Sequence, residues 1–113
     1  MIQIYHNSRC SKSRECLNLL EHSGVEFEII KYLETPLSHE ELEEIIKKLG
    51  INPIDLIRKK EKRWTENFKN KEFTAKELIQ IMVSNPILIE RPIVVNGNKA
   101  VVARPIEKTS EIL

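Results

Sequence analysis

Two capping boxes govern the middle of this chain. In the first, Ser38 stands three residues before Glu41, and Leu42, Ile45, Ile46 and Leu49 follow at helical spacing until Gly50. The cap side chain accepts from the amide three residues on while the glutamate reaches back to the cap's own amide, so two helix-end donors are satisfied at once. In the second, Thr74 precedes Glu77, with Leu78, Ile81 and Met82 as the buried stripe and Asn85-Pro86 as the stop. Between them, Asn52-Pro53 supplies an N-cap and a proline at the first helical position for a short helix that carries Ile54 and Ile57 into a basic run. Residues 34–85 are therefore predicted to be mostly helical, which confines the strands to the two ends.

At the amino end, Ile2 to Tyr5 is a short apolar run, then comes the polar cluster His6-Asn7-Ser8-Arg9-Cys10, then a helical pattern with Cys16, Leu19 and Leu20 on one face. Gly24 suits a left-handed helix cap, after which Val25, Phe27 and Ile29 alternate with Glu26 and Glu28 as a half-buried strand does. At the other end, Ile93-Val94-Val95 and Ala100-Val101-Val102 flank Asn96-Gly97, a type I′ turn signal, and Arg104-Pro105 opens a last helix running to about Ile112. The order is βαβ, a helical block, then ββα. Apart from the block this is a thioredoxin-like α/β topology, expected as one domain over residues 1–113 with a helical insertion at about 34–85.

Charge and hydropathy narrow the function classes. Eighteen Lys and Arg against seventeen Asp and Glu leave a formal charge of +1, so the surface as a whole is not built for nucleic acid or anionic lipid. The basic run around Arg58, Lys59, Lys60, Lys62 and Arg63 reads as a solvated face, and Trp64 is expected to pack the helical block against the rest. The longest hydrophobic run is four residues, Ala100 to Ala103, where a membrane-spanning helix needs roughly 20. With no signal-peptide pattern at the amino end, the expected setting is the reducing cytoplasm, and the expected state a monomer.

Two cysteines are too few for a disulfide framework, and C-x5-C without a second Cys/His pair fits no zinc site, so no metal is expected. Cys10 sits where a strand gives way to a helix. Amides of the first helical turn and the positive end of the helix dipole would favour its thiolate there. Arg9 and Arg14 flank it, Ser13 could donate a hydrogen bond to the sulfur, and His6 lies four residues before. On position alone two readings of Cys10 stand: a nucleophile, or a small buried residue. Cys16 falls on the apolar stripe and reads as core. If both cysteines belong to one helix, six residues of rise separate their Cα atoms by about 9 Å, beyond the roughly 7 Å limit for a disulfide. Cys16 also occupies the place where a tyrosine-phosphatase loop needs arginine, and Ser13 the place where a C-x-x-C motif needs cysteine.

Taken together, His6-Asn7, Cys10-Ser11-Lys12-Ser13-Arg14, Tyr32-Leu33-Glu34, Leu56-Ile57-Arg58-Lys59, Pro86 to Ile89, Arg91 to Val95 and Arg104-Pro105 closely resemble the glutaredoxin-dependent arsenate reductases, in a short branch, with the Spx-type regulators as relatives. The resemblance implies that Cys10 attacks arsenate and that Arg58, Arg91 and Arg104 hold the oxyanion. It also implies that His6 and Ser13 tune the cysteine, as the flanking Arg14 would by its charge, and that Pro92 is a cis-proline facing it. Planar guanidinium forks match a tetrahedral oxyanion better than ammonium groups do. Glutathione would serve as co-substrate and glutaredoxin as partner, with no tightly bound cofactor. Two other readings go with the same resemblance: an Spx-like regulator that binds RNA polymerase, and a monothiol oxidoreductase acting with glutathione. Many members have proline where this chain has Ser8.

Overall fold

The computed structural model describes residues 1–113. Contacts divide the chain into two compact units, one made of Met1–Thr35 with Arg91–Leu113, the other of Pro36–Glu90. The first unit holds β1 (Ile2–Tyr5), α1 (Ser11–Ser23) and β2 (Phe27–Ile30), then β3 (Ile93–Asn96) and β4 (Lys99–Val102). β1 and β2 are parallel, with Ile2 opposite Phe27, and α1 is the crossover that parallel neighbours require. β3 lies antiparallel on the other side of β1, with Ile4 opposite Val94, and β4 returns antiparallel to β3, giving the order β2-β1-β3-β4. This is the thioredoxin-like arrangement expected from the pattern.

Alternation puts Ile2 and Ile4 on the face that α1 covers. Cys16 and Leu20 meet them there, and Val94, Ala103 and Ile112 complete one buried cluster, with Leu17, Val25 and Phe27 packed at its margin. The buried stripe of α1 is Ser13, Cys16 and Leu20, and Leu19 is only half-buried. Three further details depart from expectation. β2 is an edge strand, so Ile29 is 43% exposed rather than half-buried. The hairpin pairs Asn96 with Lys99, which leaves Gly97-Asn98 as the loop. Gly97 has φ +62° and Asn98 no positive φ, the pattern of a type II′ turn and not of the I′ turn predicted at Asn96-Gly97. The last helix is a 3₁₀ segment, Ile106–Glu111, which starts after Pro105 with no side-chain cap.

In the second unit, α2 (His39–Leu49) and α4 (Ala75–Ser84) follow the two capping boxes, and each box closes in both directions. The Glu41 amide donates to Ser38 Oγ at 3.1 Å and the Ser38 amide to Glu41 Oε1 at 3.0 Å; at Thr74 and Glu77 the distances are 3.2 and 2.8 Å. Leu42, Ile45 and Ile46 are buried in α2, and Leu78, Ile79 and Met82 in α4, where Ile81 is half-buried. A short α3 (Lys62–Asn67) inside the basic run was not expected. Its Trp64 packs on Phe68 and Phe73, ring centroids 5.7 and 6.3 Å away, so the tryptophan closes an aromatic cluster within this unit. The unit runs to Glu90 because Ile57 bridges Ile89, the Arg58 amide donates to the Leu88 carbonyl at 2.7 Å and the Glu90 amide to that of Leu56 at 2.8 Å. No helix of the chain is long and apolar enough to cross a membrane.

Candidate active site

The chain leaves β1 through a tight turn. The Asn7 carbonyl accepts from the Cys10 amide at 3.0 Å, and Asn7 Oδ1 accepts from the Arg9 amide at 3.0 Å. An asparagine at the start of a turn fixes the backbone two residues on, so Asn7 shapes the loop that presents the cysteine. Cys10 is then the N-cap of α1, in extended conformation (φ −96°, ψ 122°), with no side-chain cap of its own. That geometry turns its sulfur toward the free amides of the first helical turn.

Four donors converge on Cys10 Sγ. Arg104 Nη2 donates to it from 3.4 Å, while the Arg91 side chain and the backbone amides of Lys12 and Ser13 lie close enough to favour its thiolate without the amides closing a helix-cap hydrogen bond. Cys10 is only 9% exposed. Burial pushes its pKa up, but the Ser13 amide, the Arg91 hydrogen bond, the Lys12 amide and the Arg91 charge together outweigh burial, so the thiol lies below the ordinary cysteine value. Arg104 is itself anchored, with Nε donating to the Arg91 carbonyl at 2.7 Å. The Arg91–Pro92 peptide bond is cis, and so is Arg104–Pro105, which the sequence did not flag.

Two of the residues read as tuners act otherwise than expected. The Ser13 hydroxyl is 2.7 Å from His6 Nδ1 and accepts from the Asn7 amide at 3.0 Å, so it ties the loop down, while the Ser13 amide serves Cys10. Arg14 Nη1 donates to the Ser8 carbonyl at 2.9 Å, and its charge acts on His6. His6 is buried, and desolvation, Lys31 and Arg14 hold its pKa below the usual histidine value against a partly offsetting bond to Ser13. The imidazole is therefore a neutral brace under the loop. Arg58 lies in the second unit, where Nε meets Glu61 Oε2 at 3.4 Å and Nη1 meets Glu90 Oε1 at 3.2 Å.

Cys16 contrasts with Cys10. It is fully buried, its sulfur 3.5 Å from Thr109 Oγ1, and burial pushes its pKa up against that one bond. Both thiols are free. Nowhere are three or more His, Cys, Asp or Glu side chains grouped to hold a metal ion. Sequence reasoning gave Asn7 no structural part; an asparagine opening a polar loop between strand and helix was the available signal. What surrounds Cys10 can stabilise a thiolate and, beside it, added negative charge on a bound anion.

A family model described as the ArsC family matches residues 5–112. The uncharacterized protein YfgD of Escherichia coli is 49% identical, over 99% of this chain and 96% of that protein. The arsenate reductase of Haemophilus influenzae is 45% identical, over 97% of each chain. The solved structure of an arsenate reductase from Vibrio cholerae superposes with a TM-score of 0.94 at 45% identity, covering 99% of this chain and 97% of that one.

Proposed function

The chain belongs to the ArsC family, and on that premise we propose that it is an oxidoreductase that reduces arsenate to arsenite with Cys10 as nucleophile and external thiols as the electron source. The observation that carries this is the set of donors on Cys10 Sγ, two amides and two guanidinium groups with no carboxylate among them. Such donors are in place before reaction and grow in value as negative charge develops near them.

In this reading the Cys10 thiolate attacks As(V) and a hydroxide leaves as water, with arsenic still pentavalent. Glutathione thiolate adds to the arsenic and expels a second water. A glutaredoxin thiolate then attacks the glutathione sulfur. The new S–S bond takes the two thiols away as a mixed disulfide, and the electron pair of the As–S bond stays on arsenic, which becomes trivalent. Water releases arsenite and frees Cys10. Arg91 and Arg104 hold the oxyanion beside the sulfur, and Arg58 is the third arginine that the family resemblance assigns to it. Within its own unit Arg58 is paired with Glu61 and Glu90. The setting proposed is a reducing cytoplasm, where both thiol donors are maintained.

Protein incubated with arsenate, glutathione, glutaredoxin and a reductant should produce arsenite, with phosphate and sulfate competing but not reduced. No arsenite above the rate of the thiols alone would overturn the reading.

A further inference from the structure

A cleft of about 280 Å³ lies against the Cys10 loop, lined by residues 6–9 on one side and by Lys31, Leu33 and Glu34 on the other. That is close to the small end of ligand sites, which start near ~300 Å³. The steps above leave it unused. Its back wall is rigid. His6 and Asn7 are 5% and 4% exposed, the His6 amide donates to the Ile30 carbonyl at 2.9 Å, and both residues are bonded to Ser13. Its other wall is a turn in which the Glu34 amide donates to the Lys31 carbonyl at 3.0 Å, so Lys31 and Glu34 sit together. The rim thus carries two cations, Arg9 and Lys31, and one carboxylate, Glu34. None of the three is in an ion pair within the chain.

A simple tetrahedral oxyanion does not suit this wall, because Glu34 would repel it. A zwitterion with more carboxylates than ammonium groups suits it well. We infer that the cleft seats the thiol co-substrate, a small peptide thiol of the glutathione class, with its two carboxylates on Arg9 and Lys31 and its ammonium on Glu34. The assignment rests on the reading of Cys10 as a thiol-coupled nucleophile. Reach is consistent with it. A turn closed like Asn7–Cys10 keeps its end Cα atoms within about 7 Å, and an extended tripeptide spans about 10 Å. A ligand held by its ends along residues 6–9 can therefore bring a central thiol to Cys10. Leu33, 38% exposed, offers its methylenes an apolar contact.

The test needs no arsenate. Cys10 thiolate attacks one sulfur of a disulfide, the old S–S bond breaks, and the other half leaves as thiolate. The rate of this mixed-disulfide formation is measured by mass spectrometry with glutathione disulfide and with the uncharged bis(2-hydroxyethyl) disulfide. For Lys31→Glu the rate with glutathione disulfide should fall at least about tenfold while the neutral disulfide reacts within about twofold of wild type, because only the charged ligand uses the rim. Glu34→Lys should also slow the glutathione reaction selectively. Unchanged glutathione rates, or equal losses with both disulfides, would overturn the inference. Arsenate-dependent turnover is scored separately, so selective seating without arsenite formation would sink the proposed activity alone, and arsenite formation without selectivity would sink the cleft alone.

Discussion

At Cys10 the outcome is set by competition between burial, which favours the thiol, and four donors, which favour the thiolate. Iodoacetamide labelling of Cys10 should therefore show an inflection below the ordinary value near about 8.5, and Arg91→Ala should move it upward. An unshifted inflection in wild type would remove the thiolate from the account, and Cys16 should label only on unfolding. His6 gives a prediction of opposite chemistry. Its folded-state pKa is depressed, so as pH falls below about 6.5 the unfolded chain takes up the proton first and stability is lost. Urea titrations should show stability falling as pH drops below about 6.5, and His6→Gln should flatten that dependence. The cysteine's position was legible in the sequence because a strand-to-helix boundary can be read from periodicity. Which atoms reach the sulfur was not. Ser13 serves it through an amide rather than its hydroxyl, and Arg14 turns away to the Ser8 carbonyl, and both outcomes depend on where the Asn7 turn points the chain.

Among the elements, the two capping boxes show what local sequence can specify. Ser and Thr three residues before Glu leave few alternatives, and α2 and α4 start where the boxes place them. Ser38→Ala and Thr74→Ala should each cost about 1 kcal/mol, read as a lower urea midpoint at unchanged slope, with Ser→Gly and Thr→Gly losing less. No change in either midpoint would mean that tertiary packing alone holds those helix starts. Elements decided by neighbours were harder to read. The alternation from Val25 to Ile29 is a strand signal, but Ile29 is exposed because β2 has a partner on one side only. α3 was hidden within a lysine-rich run, where the signal to read was the spacing of Trp64 and Phe68, one turn apart on a helix whose aromatic face Phe73 completes. The hairpin was visible, but its loop lay one residue later than the Asn-Gly pair suggested, because the register set by β1 and β3 decides which residues face each other.

For the molecule as a whole, the proposed mechanism gives Cys10 no partner thiol, because Cys16 lies in the core, so each turnover should depend on an external thiol. Cys10→Ser should abolish arsenite formation, while Cys16→Ser should leave most of it, since Cys16 lies in the core against Thr109. Glutathione disulfide should add one glutathione, at Cys10. A Cys10–Cys16 disulfide found by peptide mapping in folded, active protein would contradict both the helix placement and the external thiol source. The same first unit is interrupted in sequence by the whole of Pro36–Glu90. This bears on how the protein is born. A ribosome delivers Cys10 and the Lys12 and Ser13 amides first, but Arg91, Arg104 and the β3 strand that flanks β1 emerge only after the whole of Pro36–Glu90 has been made. Until then the nascent thiol lacks both of its guanidinium donors. Cys10 thus passes through synthesis of the entire second unit without its guanidinium partners, and the sulfur acquires its full set of donors only once the chain has returned to the first unit.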